Sequence, residues 1–166
     1  IGSEGTLAII TAATLRLHPR PRATLTAKAT LPSLPAAIEL LGRAHERLGP
    51  GLTGFEVMNE ASLALVRKHF AQLRQAVGPA PWTVLVEHSD AEGEAHGTAA
   101  LEALLGDALE RKLIGDAAVA TSLEQANAMW HVRETIPLAQ VAEGSNIKHD
   151  IALPVSAIAE FVAVTD

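Results

Sequence analysis

The chain of 166 residues contains no cysteine. That absence removes disulfides, thiolate metal sites, iron–sulfur clusters and a cysteine nucleophile together, and it fits a reducing compartment. Aromatic residues are only 3% of the chain, so a core must be filled by Ala, Leu, Val and Ile. Trp82 and Trp130 therefore stand out as large objects, expected at the core or its rim rather than as stacking platforms. No apolar run approaches the ~20 residues that cross a bilayer, and no charged-then-apolar leader opens the sequence. The expectation is a soluble, cytoplasmic protein without a transmembrane segment. Clustered Lys and Arg are also missing, and the formal net charge of −6 argues against nucleic acid as a partner.

Motifs are absent as well. The run His45-Glu46-Arg47-Leu48-Gly49 starts like H-E-x-x-H but has Gly where the second His would stand, so no imidazole pair faces a zinc. No P-loop, no G-x-G-x-x-G and no G-x-S-x-G elbow occurs. The seven histidines show no tight ligand spacing apart from Glu87-His88 and Glu94-x-His96, so no metal site is expected within this chain.

What is present is a domain's worth of apolar residues, 48% of the chain. A domain near this length buries roughly 68–70% of its unfolded surface. Its opening on Ile1-Gly2-Ser3-Glu4-Gly5 and its close on Val164-Thr165-Asp166 suggest a piece of a longer protein. Thr6 to Leu17 is an apolar, β-branched run that predicts a strand or hairpin. His18-Pro19-Arg20-Pro21-Arg22 interrupts it, because two prolines in three residues can neither donate to a ladder nor continue a helix. The boundary falls there, giving segments 1–20 and 21–166.

After the boundary, strands and helices alternate. Ala23 to Leu31 sets Thr24, Thr26, Lys28 and Thr30 against Ala23, Leu25, Ala27, Ala29 and Leu31, the period-two pattern of a half-buried strand. Ser33 offers a cap to a helix with Leu34, Ile38, Leu41 and Leu48 on one face, ended by Gly49-Pro50. Gly51 to Met58 predicts a strand, and Asn59 caps a helix with Leu63, Val66 and Phe70 inward. Trp82 to His88 is nearly continuous in β-formers and so central. Asp90 caps a long helix to about Lys112, and Ile114 to Thr121 predicts a fourth strand. Ser122-Leu123-Glu124-Gln125 is an S-x-x-Q capping box. The helix that it opens meets Pro137, which predicts an end or a kink. Ser145 to Leu153 predicts a fifth strand and Pro154 a final amphipathic helix. The fold expected is α+β, a ferredoxin-like split β-α-β sheet with helices mainly on one face, preceded by a short β segment.

Chemistry concentrates between Trp130 and Pro154. Arg133 on the helix and Lys148 at the head of the predicted fifth strand would be brought together by one connection, a pocket for a small carboxylate. The competing reading pairs Arg133 with Glu134 or Glu143 and leaves Lys148 as a solvated strand residue.

Gly2-Ser3-Glu4-Gly5-Thr6-Leu7-Ala8-Ile9-Ile10-Thr11, Trp130-His131-Val132-Arg133-Glu134 and Ile147-Lys148-His149-Asp150-Ile151-Ala152-Leu153-Pro154 together resemble the FAD-linked oxidases of D-2-hydroxy acids. These include flavin-dependent D-lactate and D-2-hydroxyglutarate dehydrogenases and the flavoprotein subunit of glycolate oxidase. The resemblance spans the whole chain in order. It implies that residues 1–20 end an FAD-binding domain and that 21–166 form part of a cap, or substrate, domain. It implies flavin contacts from Gly2, Ser3, Glu4, Gly5, Ile9 and Ile10, although Ala8 stands where the family commonly has Gly. The same resemblance implies that Arg133 and Lys148 bind the carboxylate of a small 2-hydroxy acid. Pro137 occupies a place where the hydroxyglutarate branch has a hydroxyl-bearing substrate contact. Catalytic His and metal-binding His residues are implied beyond Asp166, so the fragment alone is expected to be inactive and to carry neither a catalytic residue nor the divalent metal. Self-association into a homodimer through an exposed sheet edge would follow from truncation. The alternative from another class is a non-catalytic ferredoxin-like binding or dimerisation module.

Overall fold

The computed structural model describes residues 2–165. Its elements are β1 (Ala23–Leu31), α1 (Leu34–Leu48), β2 (Leu52–Asn59), α2 (Glu60–His69), β3 (Trp82–Asp90), α3 (Glu94–Glu110), β4 (Ala117–Val119), α4 (Leu123–Glu143) and α5 (Val155–Thr165). The four strands form one sheet in the order β2-β3-β1-β4, and each neighbouring pair is antiparallel. The two central strands pair over their full lengths, from Ala23 opposite Asp90 to Leu31 opposite Trp82. This is the expected α+β, ferredoxin-like sheet, with α2 added to the β2–β3 connection.

Helix starts follow from short polar side chains. Ser33 Oγ accepts the Ala36 N–H at 3.3 Å, and Asn59 Oδ1 accepts the Ser62 N–H at 2.9 Å. Asp90 Oδ1 accepts the N–H groups of Glu92 and Gly93, both at 2.7 Å, just before α3. Ser33 and Asn59 satisfy donors that a helix start leaves without a partner, while Asp90 closes the turn ahead of α3, whose cap position is Gly93 and not the expected Asp90. Ser122 Oγ accepts the Gln125 N–H at 3.2 Å, while Gln125 Oε1 reaches the Thr121 N–H rather than that of Ser122.

Alternation along the strands separates two cores. Leu25, Ala27, Ala29 and Leu31 of β1 and Val84 and Val86 of β3 pack against α1 and α3. Leu85, from the opposite face of β3, joins Met58, Leu63, Val66, Met129, Val132 and Ala139, which belong to β2, α2 and α4. The sequence pattern places helices mainly on one face; in the structure α2 and α4 also cover the other. β1 is consequently buried on both faces from Leu25 to Leu31, not half-buried. Its Thr and Lys residues read as a wet face, but Thr26, Lys28 and Thr30 are all buried, with Lys28 bonded to Gln75 in the segment that follows α2 and the Thr30 hydroxyl donating to the Asp116 carbonyl. On α1 the buried set is Leu34, Ala36, Ala37, Leu40, Ala44 and Leu48, which rotates the inward stripe away from Ile38 and Leu41.

Three further expectations are corrected. The short β segment over Thr6 to Leu17 is absent: these residues form no strand, and Leu7, Ile9, Leu15 and Leu17 are all exposed. The predicted fifth strand, Ser145 to Leu153, forms no regular element and is exposed throughout. Both runs have strand-like composition but no ladder partner among the described residues, and strand propensity is realised only against a neighbour. Pro137 does not end its helix, because α4 continues to Glu143 with the proline inside it. The proline's missing N–H leaves the Arg133 carbonyl without its intrahelical donor.

Candidate functional site

A cavity of about 390 Å³ opens where the end of β2, the first turn of α2, the start of β3 and the middle of α4 meet. Glu56, Asn59, Ser62 and Arg133 supply its polar lining; Val57, Met58, Trp82, Ile136 and Pro137 supply the apolar part. Each element delivers its residue for a local reason. Arg133 and Pro137 are one turn apart on α4, so they share a face. Glu56 alternates with Phe55 and Val57, whose side chains go to the α1/α3 core, which turns Glu56 toward α4. Gly54, two residues earlier on the same face, lets Trp130 lie against β2: a Cβ there would stand 3.2 Å from the indole Cζ2. The Trp130 Nε1 is buried with no hydrogen-bond partner among the described residues.

Arg133 donates through Nε and Nη2 to one oxygen, Glu56 Oε2, at 3.1 and 3.0 Å. The side chains remain 40% and 38% exposed, so this pair is worth only about 0–1 kcal/mol to stability. The guanidinium is held in place cheaply and stays accessible. Neither of the neighbouring carboxylates proposed as its partner is used. Glu143 is taken by Lys68 and His69 at 2.7 and 2.6 Å, and both, Lys68 first, hold its carboxyl below the usual range.

Lys148 is not brought to Arg133. It lies in the exposed segment between α4 and α5, does not line the cavity, and makes no ion pair or hydrogen bond among the described residues. The helix-to-strand pocket therefore contains its arginine and lacks its lysine. Apart from Arg133 and Pro137, sequence reasoning assigned none of the cavity residues to a site, the polar Glu56, Asn59 and Ser62 and the large Trp82 included. Of these, Trp82 stood out as one of two large aromatics and Asn59 only as a helix cap.

Gly2, Ser3, Glu4 and Gly5 form a turn closed by the Thr6 N–H and hydroxyl, which donate to the Ser3 carbonyl at 2.9 and 2.6 Å. Gly2 and Gly5 have φ of +80° and +78°, and no protein atom lies within 4 Å of where a Cβ would be. Open space beside a left-handed glycine backbone fits close approach of a flat ligand such as flavin. Ile9 and Ile10, 86% and 69% exposed, offer free backbone and side chain but no enclosing wall.

Two other polar groupings complete the inventory. Asp90 Oδ2 accepts from His96 Nδ1 at 2.7 Å and lies 3.3 Å from His88 Nε2. The Gly93 N–H and then His96 hold the Asp90 carboxyl far below the usual carboxylate range, and Asp90 in turn raises His96. Among the described residues no group of three His, Cys, Asp or Glu could hold a metal ion. Lys28, 1% exposed at the centre of β1, donates to Gln75 Oε1 at 2.8 Å. Burial, and then nearby Arg67, lower it to about 8. None of the helices among the described residues is long and apolar enough to cross a membrane.

Comparison with known proteins places the chain. Residues 20–166 match the family described as FAD linked oxidases, C-terminal domain. The chain is 33% identical over 162 residues to mitochondrial D-2-hydroxyglutarate dehydrogenase of Rattus norvegicus, covering 98% of this chain and 30% of that protein. Against a putative mitochondrial D-lactate dehydrogenase of Schizosaccharomyces pombe the identity is 31%, covering 98% and 31%. A D-2-hydroxyglutarate dehydrogenase of Xanthomonas citri pv. viticola gives 32%, covering 99% and 34%. The chain thus spans about a third of the length of these relatives. With a match that runs from the proline boundary through the Arg133 helix, the chain belongs to the FAD-linked oxidase family, by its C-terminal domain.

Proposed function

We propose that residues 21–166 form part of the cap, or substrate, domain of a flavoprotein that oxidises a D-2-hydroxy acid to the 2-oxo acid. Residues 1–20 would belong to the end of its FAD-binding domain. The observation that carries this reading is the cavity of about 390 Å³ in which the half-exposed Arg133 guanidinium meets an apolar wall of Trp82, Ile136 and Pro137. A charge-assisted bond from Arg133 to a substrate carboxylate is worth about 1.5–3 kcal/mol. An anchor at the carboxylate would help turn the single C2–H of a D-2-hydroxy acid away from the cap, toward a bound flavin. The bound FAD would supply the hydride acceptor. This chain's own share is to anchor the carboxylate, orient C2 and exclude water with the apolar wall. The open turn at Gly2–Gly5 supports an edge contact with the flavin. Lys148 would give the carboxylate a second cation once its segment is held by the rest of the protein. The relatives named for D-2-hydroxyglutarate and D-lactate support the hydroxy-acid class.

One observation favours the second reading, a non-catalytic binding or dimerisation module: Arg133 is already partnered by Glu56. Anaerobic titration of the full-length protein with D-2-hydroxy acids separates the two. Bleaching of a bound flavin's visible absorbance by at least one acid is the expected result. A full-length protein that purifies without flavin would overturn the enzyme reading.

A further inference from the structure

The cavity holds one full charge of each sign, and their arrangement bears on which acid fits. Arg133 engages Glu56 Oε2 through Nε and Nη2, so the side of its fork is occupied and the Nη1 end makes no hydrogen bond among the described residues. The other polar side chains of the lining, Asn59 and Ser62, are neutral, and Asn59 Oδ1 is already spent on the Ser62 N–H. Pro137, one turn beyond Arg133, offers no donor.

A ligand carboxylate at the free end of Arg133 would therefore sit near a second anion, Glu56, and those two anions are balanced by Arg133 and, in the full-length protein, by Lys148 as proposed above. A ligand bearing another carboxylate would add a third anion, and with Lys148 committed to the first carboxylate the cavity lining contains no further Lys or Arg to balance it. An unpaired charge against apolar walls is strongly disfavoured, and like charges at a binding surface discriminate by repulsion rather than attraction. An alkyl tail, in contrast, meets Ile136, Pro137 and Trp82.

Resting on the reading that this cavity takes the carboxylate of a 2-hydroxy acid, we propose that Glu56 determines its substrate class. It orients Arg133 from the side and, by its own charge, selects 2-hydroxy monocarboxylates with an apolar side chain over 2-hydroxy dicarboxylates. This preference would separate the protein from its relatives named for D-2-hydroxyglutarate.

The test uses the full-length flavoprotein with D-2-hydroxyhexanoate and D-2-hydroxyglutarate, reading the ratio of their kcat/KM values. The unaltered protein should favour the hexanoate by about tenfold or more, a size typical of discrimination by one pocket contact. Glu56→Gln should shift the ratio toward the dicarboxylate by about tenfold, mainly through its KM, whatever it does to each rate separately. Glu56→Asp, which keeps the charge, should retain the original preference. The shift of a ratio by Gln but not Asp is not what loss of packing alone produces. A preference for the dicarboxylate in the unaltered protein, or a ratio unmoved by Glu56→Gln, overturns the role of Glu56 while leaving the oxidase reading standing. Oxidation of neither acid, nor of any other D-2-hydroxy acid, overturns the oxidase reading and this inference with it.

Discussion

The two faces of β1 are built from different chemistry. Toward α1 and α3 it presents Leu25, Ala27, Ala29 and Leu31, matched by Leu34, Leu40, Leu101 and Leu104. Toward α2 and α4 it presents Thr26, Lys28 and Thr30, each at most 7% exposed. Among the described residues, three of the four buried side-chain polar atoms without a partner, Glu60 Oε2, Gln75 Nε2 and Trp130 Nε1, belong to α2, α4 and the segment that follows α2. Apolar burial of about 25 cal/mol per Å² stabilises the first face with no directional demands. The second face carries polar groups whose burial costs free energy unless they are paired. The candidate site lies on that second face, between β2, α2 and α4. One layer of the domain thus supplies stability and the other gives some of it up for placed charge.

Changes on the two faces should break this contrast in opposite directions. The largest effect is expected from Leu40→Ala in α1: Leu40 is fully buried, and the cavity left behind should cost about 2–5 kcal/mol in denaturant unfolding. Lys28→Met should act the other way, stabilising by about 1–3 kcal/mol, because a well-packed apolar residue replaces a buried charge. The same lysine makes stability depend on pH. It is lowered from 10.5 to about 8, so between those values the unfolded chain binds a proton that the folded chain has released. Stability should rise as pH increases from about 8 to about 10.5, by up to about 3 kcal/mol. That rise should vanish in Lys28→Met. A smaller change, about 1 kcal/mol, is expected for Ser33→Ala, which removes the cap of α1 on the apolar side; a thermal midpoint lower by several degrees would show it.

The parts legible in the sequence are those decided locally. The Ser33, Asn59 and Ser122 caps each depend on a side chain and an N–H three residues away, whereas Asp90 closes the turn before α3 and the cap position itself is Gly93. The four strands come from β-rich runs bounded by Gly and Pro. What escaped was decided at a distance. Lys28 reads as solvent-facing because nothing in its neighbourhood announces that α2, α4 and Gln75 will cover it. The partner of Arg133 is Glu56, 77 residues earlier, and no spacing rule reaches that far. Ile147 to Leu153 has a strand's composition, yet it stays exposed among the described residues because a strand is made by its neighbour. Pro137 failed as a stop signal because α4 is held on both sides of it by buried Val132, Thr135 and Ala139, and packing outweighs the lost hydrogen bond.

The sharpest contrast is between Arg133 and Leu40, one residue from each face. In the full-length flavoprotein, Arg133→Met should lower kcat/KM for the preferred D-2-hydroxy acid by about tenfold to a thousandfold, or about 1.4–4 kcal/mol, while unfolding free energy moves by less than about 1 kcal/mol. Unchanged kcat/KM in that variant, with flavin still bound, would contradict the account.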